Sequence, residues 1–168
     1  MKKDFISSTI EQLQHYKSLA DRTFLQIKDD QHLFWKPAEE SNSIWILVKH
    51  LHGNMLSRFT DMFTTDGEKD WRDRDEEFDE NLATREELMR RWDEGWEKTF
   101  SLLSSLSEED LKKEVYLKKK PLSVVDYINQ AVFHYIYHVG QIVYIGKMAV
   151  NENWEMLWGP KKSAPKKS

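Results

Sequence analysis

The sequence predicts an all-α fold, a four-helix bundle, from three observations. Chain breakers are scarce, with 6 Gly and 4 Pro in 168 residues. Four long segments carry apolar residues at the helical period. The connections after the second and third segments are long enough for a crossover, so a plain up-down-up-down order is not implied. The length suits a single domain, taken here as residues 1–158.

Each element has its own reason. Residues 4–28 place Ile6, Ile10, Leu13, Ala20, Phe24 and Ile27 on one narrow face, with polar residues opposite. Pro37, after Leu33-Phe34-Trp35-Lys36, blocks helix continuation and makes the backbone extended. A second helix starts at a cap among Ser41, Asn42 and Ser43. Its core face is Ile44, Leu47, Val48, Leu51, Met55, Phe59 and Met62, and it is expected to stop near Asp66-Gly67. Residues 66–80 hold nine acidic and three basic residues without helical period. They read as a solvated loop or as a lid, with Trp71 or Phe78 tucked in and Arg72 or Arg74 free for an anionic substrate.

A third helix carries Leu82, Met89, Trp92, Trp96, Phe100 and Leu103, with Thr84 as cap and Glu87 three residues on as a capping box. Trp92 and Trp96 read as core. Glu114 to Lys120 is a brief irregular or extended connection before Pro121. The fourth helix, about 122–149, is the most apolar, through Val124, Tyr127, Ile128, Ala131, Tyr135, Ile142 and Ile145. Residues 159–168 form a basic tail expected to be disordered.

Composition narrows the function. Lys and Arg sum to 25 and Asp and Glu to 29, a net charge of -4. That balance argues against a nucleic-acid partner, and the acidic 66–80 stretch would repel a phosphate backbone. No run approaches the ~18 apolar residues of a membrane span, and the first residues lack a signal peptide's apolar stretch. With no cysteine, thiolate zinc sites, iron–sulfur clusters and a cysteine nucleophile are excluded. A cytoplasmic protein acting on a small molecule is the expectation.

Phosphate loops, nucleophile elbows, His-Glu-x-x-His pairs and the Glu-x-x-His motif of di-iron bundles are all missing. Histidine remains. His134 and His138, one turn apart on the fourth helix, lie on its apolar stripe with Tyr127, Ala131 and Ile142. Two buried imidazoles side by side need partners. Either a shared divalent ion or two separate sets of hydrogen bonds can supply them. A third ligand from the second helix is His50 or His52. The helical wheel favours His52, while His50 shares a polar stripe with Ser43, Asn54, Ser57 and Asp61. Periodicity leaves both open. His15 and His32 read as surface or boundary residues, Arg58 as paired with an acidic neighbour, and Trp35, Trp45 and Trp71 as candidates for a pocket rim.

Trp35-Lys36-Pro37, Ser43-Ile44-Trp45-Ile46-Leu47-Val48-Lys49-His50-Leu51 and His134-Tyr135-Ile136-Tyr137-His138-Val139-Gly140-Gln141-Ile142 resemble the DinB/YfiT-like superfamily. His50-Leu51-His52-Gly53-Asn54 and Asp66-Gly67-Glu68-Lys69-Asp70-Trp71 resemble an uncharacterised bacterial branch of it. The resemblance implies a bundle with one long crossover, a homodimer, and a three-histidine metal site formed by His50, His134 and His138. In that site Gln141 could orient a ligand. The ion would be Zn or Ni, with Fe or Cu as further candidates. Members of the superfamily include S-transferases using a low-molecular-weight thiol. The implied reading is a metal-dependent enzyme in which the ion lowers the pKa of bound water or thiol. The competing reading is a non-catalytic stress-response or binding protein whose metal is structural.

Overall fold

The computed structural model describes residues 4–81 and 83–158. The expected tail at 159–168 and the expected helix position Leu82 lie outside them. Among the described residues six α-helices run in the order α1 (Phe5–Gln26), α2 (Gln31–Phe34), α3 (Ile44–Phe59), α4 (Arg74–Phe78), α5 (Arg85–Ser105) and α6 (Val124–Val150). The four long ones are the predicted four. Each begins at a side-chain cap: Asp4, Ser43, Thr84 and Ser123 accept from the backbone N–H of Ser7, Ile46, Glu87 and Asp126. Ser43 is thus the cap among the three candidates, since its hydroxyl reaches an otherwise unpaired amide of the first turn.

The long helices pack as a ring: α1 touches α5 and α6, and α3 touches α5 and α6. Directions follow from individual contacts. Trp92 on α5 meets Phe24 and Asp21 on α1, while Arg85 reaches the Phe24 and Ile27 carbonyls, so α1 and α5 are antiparallel. Arg58 meets Tyr127 and His50 meets His134, so α3 and α6 are antiparallel too. Gly146 late in α6 faces Thr23 late in α1 and Ile27 just past its end. The order is therefore up, down, down, up. Two successive helices with the same direction require the chain between them to return along the bundle. That crossover is residues 60–84, and it carries α4.

Two expectations need correction. The second helix ends at Phe59, not near Asp66-Gly67. Asp61 takes a positive φ of 49°, and its carbonyl accepts from the amides and hydroxyls of Thr64 and Thr65. Threonine hydroxyls thus offer the backbone an alternative to another helical turn. Met62 stays buried beyond the helix end. The second concerns Glu114 to Lys120, which is extended, as one of the two readings has it, but is not a single connection: β1 (Glu114–Leu117) pairs antiparallel with β2 (Lys120–Ser123). Lys118 and Lys119 make the turn at φ 52° and 62°. The Asp66 carboxylate accepts from both their amides, at 2.8 and 2.6 Å, which holds a left-handed turn without Gly or Asn.

One hydrophobic cluster joins the four helices, with Trp92 and Trp96 both inside it. Phe24, Trp92 and Trp96 meet edge to face at about 5.3–5.4 Å, and Trp96 stacks on Phe100. Among the described residues no helix is long and apolar enough to cross a membrane.

Candidate metal centre

The antiparallel contact of α3 and α6 brings His50, His134 and His138 together. One nitrogen from each lies within 4.8 Å of the others. His134 Nε2 stands 3.1 Å from His50 Nε2 and 2.9 Å from His138 Nε2. All three rings therefore turn the same nitrogen to one point.

The opposite nitrogens are held from behind. His50 Nδ1 lies 3.0 Å from Glu77 Oε2, and His138 Nδ1 lies 2.6 Å from Gln141 Oε1. Gln141 donates its amide to the Tyr137 hydroxyl at 3.2 Å, which agrees with its oxygen facing His138. Both Nδ1 atoms face acceptors, so each carries the proton and leaves a lone pair on Nε2. His134 can donate one Nε2 proton to one neighbour only. A closed set of neutral hydrogen bonds among the three is then unavailable, whereas a cation satisfies three lone pairs at once. Spacing agrees: three imidazole nitrogens about 2.0–2.1 Å from one zinc ion stand about 2.8–3.4 Å apart for angles of about 90–109°. The donor set fits a divalent ion.

Electrostatics favour the neutral form of His134 and His138. Burial, then the charges of His138 and His50, hold His134 down at about 3. Burial lowers His138 as well, against the Gln141 hydrogen bond. On Glu77 burial pushes upward, but hydrogen bonds from His50 and Arg72 prevail and keep the carboxyl below its ordinary value. Arg72 clamps that carboxylate with Nε on Oε1 at 2.6 Å and Nη2 on Oε2 at 2.9 Å.

Glu77 sits on α4 and Arg72 just before it, so the crossover supplies the support behind His50. The expectation of a plain solvated loop does not hold for these two residues. Their side chains are only 8% and 3% exposed. Phe78 also lies over the site, its ring 5.3 Å from that of His50. Lys49, buried on α3, donates to the carbonyls of Glu76 and Asp79 and pins α4 down. Gly53 explains how the crossover comes so close. A Cβ there would run into the Glu77 carboxylate. A glycine inside an apolar helix is the sequence signal for this contact.

His52, which the helical wheel favoured, points the other way and meets Glu94 on α5 at 3.0 Å. Twelve of the α3 residues are buried, so its apolar face does not say which side meets which neighbour. Asn54 lines a cavity of about 300 Å³ beside His50 and His134. Trp45 is instead 4% exposed, in the core against Phe34, with Lys49 and Arg91 over its ring. Trp71 is 58% exposed and lines a neighbouring surface depression. Trp35 is 38% exposed, and neither Trp35, Trp45 nor Trp71 borders the cavity beside the histidines. Arg58 departs from its expected acidic pairing. Its Nη1 donates to the Tyr127 carbonyl at 3.0 Å, and its guanidinium lies 4.8 Å from the Tyr127 ring centre.

The family model described as "Protein of unknown function (DUF1572)" matches residues 1–163. No curated protein and no solved structure matches the chain.

Proposed function

The chain belongs to the DUF1572 family, whose function is unknown, and we propose that it is a metal-dependent enzyme acting on a small molecule. The observation that carries this is the convergence of three Nε2 atoms beside a cavity. His50, His134 and His138 would hold one divalent ion, zinc or nickel before iron or copper. Three protein ligands leave a coordination position open, which is the pattern of catalytic rather than structural sites. A divalent ion supplies Lewis acidity and lowers the pKa of a protic ligand. The chain's own part is to orient the rings. Glu77 fixes His50, Gln141 fixes His138, and Phe78 shields His50 from water.

The resemblance to the DinB/YfiT-like superfamily supports a finer reading, an S-transferase using a low-molecular-weight thiol. The chain has no cysteine, so the sulfur must arrive with that thiol. We also propose a homodimer through α6, whose Phe133, Tyr137 and Tyr144 are 71%, 63% and 65% exposed. Gly140, between Tyr137 and Tyr144, has open space where a Cβ would stand, which permits close approach of another helix. Light scattering that finds only monomer would refute this. The absence of cysteine supports a reducing, cytoplasmic compartment.

The competing reading is a structural metal in a non-catalytic protein. Melting separates the two. The bundle has its own core, so the metal-free chain and His138→Ala should remain folded, and only the loaded parent should bind small thiols. Unfolding on metal removal, with no thiol binding by the parent, would establish the structural role instead.

A further inference from the structure

The cavity beside His50 and His134 carries an imbalance of charge. Arg58, Arg72, Arg74 and Lys118 all line it, against the single carboxylate of Glu68. Arg72 is neutralised by Glu77, and Arg74 lies 3.8 Å from Glu68. Arg58 has no such compensation. It is 8% exposed, and the ion pairs among the described residues include none to it. Its Nη1 and its ring face are used on Tyr127, but its Nε is buried without a hydrogen-bond partner. One turn earlier on α3, Asn54 Oδ1 is likewise buried and unpartnered. A buried guanidinium without a counter-charge is costly, and so is an orphaned amide oxygen. Both lie on the wall that also presents His50.

We propose that this cavity binds a small oxyanion bearing a neighbouring hydrogen-bond donor, as a 2-hydroxy carboxylate does. Arg58 Nε and Asn54 Oδ1 are enclosed just behind the cavity lining, so on binding the two side chains turn towards the cavity, where the carboxylate takes Arg58 Nε and the donor meets Asn54 Oδ1. Arg74 and Lys118 at the cavity draw the anion in. This names the substrate class of the metal centre and rests on that reading, though Arg58 Nε and Asn54 Oδ1 lack partners within the chain itself.

The probes are glycolate and glycolamide, its neutral counterpart of similar shape. Zinc-loaded and metal-free protein are each titrated by calorimetry, with zinc content counted. Loaded parent should prefer glycolate by about 10-fold or more, the worth of one hydrogen bond to a charged group. Arg58→Gln should remove most of that preference without changing zinc content or the circular dichroism spectrum. Parent protein that does not discriminate, or a folded Arg58→Gln that still does, overturns the assignment. Should Arg58→Gln not fold, Arg58→Lys decides: it keeps the charge but loses the planar fork, and an undiminished preference overturns the proposal. Parent protein without zinc refutes the metal reading separately. Glycolate must then still bind the metal-free cavity in an Arg58-dependent way, and failure to do so overturns the anion site too.

Discussion

Replacing Glu77 by Gln tests the support behind the candidate metal centre. Glu77 accepts from His50 Nδ1 at 3.0 Å and from Arg72 at 2.6 and 2.9 Å. Gln is nearly isosteric and keeps one acceptor oxygen, but it removes the charge and places an amide N–H against one donor. Loss of a partner behind a metal-ligating histidine typically costs about 10–100-fold in metal affinity, or about 1.4–2.7 kcal/mol. Stability should also fall. A buried charge left bare costs about 3–5 kcal/mol, and the oxygen that Gln retains for Arg72 should reduce this to about 1–3 kcal/mol. Zinc affinity is read by competition with a chromophoric chelator, and stability by urea unfolding of the metal-free chain. Adding Arg72→Met to Glu77→Gln should recover stability relative to the single variant, since no unpaired buried guanidinium remains. Zinc affinity within about twofold of the parent, in a folded Glu77→Gln protein, would refute the argument that Glu77 holds His50 for a metal.

Other outcomes follow from the same contacts. Gly53→Ala would ordinarily stabilise a helix interior by about 1 kcal/mol. Here its methyl meets the Glu77 carboxylate, so zinc affinity should drop severalfold, and an unchanged affinity would show that the close approach is immaterial. Alkaline pH should destabilise the fold through Tyr127. Burial, with Arg58 opposing, raises this phenol above its ordinary 10.0. A raised folded value gives stability that is complete below the unfolded value and lost as pH rises past it. Urea midpoints should therefore fall above about pH 10. Tyr127→Phe should be less stable at pH 7, because the 2.7 Å bond to the Arg58 carbonyl is lost, yet flatter with pH. An equal alkaline slope in both proteins would contradict this assignment.

Much of the arrangement can be read from the residues, and what escapes has physical causes. His134 and His138 are legible because one turn of helix and an apolar stripe fix both position and direction. The caps are legible because Ser, Thr and Asp accept from first-turn amides. Choosing between His50 and His52 is different. Both sit on a helix surrounded by α4, α5 and α6, and the wheel records burial without recording which neighbour does the burying. Glu77 is hidden among nine acidic residues of its segment, and only the three-dimensional path of the crossover singles it out. The hairpin escapes because its turn is held by Asp66, a residue far away in sequence, rather than by its own Lys118 and Lys119.

The most direct measurement is zinc titration of metal-free protein by calorimetry, in the parent, His134→Ala and His52→Ala. His134 lies between His50 and His138, while His52 faces Glu94. One ion per chain in the parent and in His52→Ala, with binding lost in His134→Ala, is the predicted result. Binding that survives His134→Ala, or that is absent from the parent, would contradict the three-histidine centre.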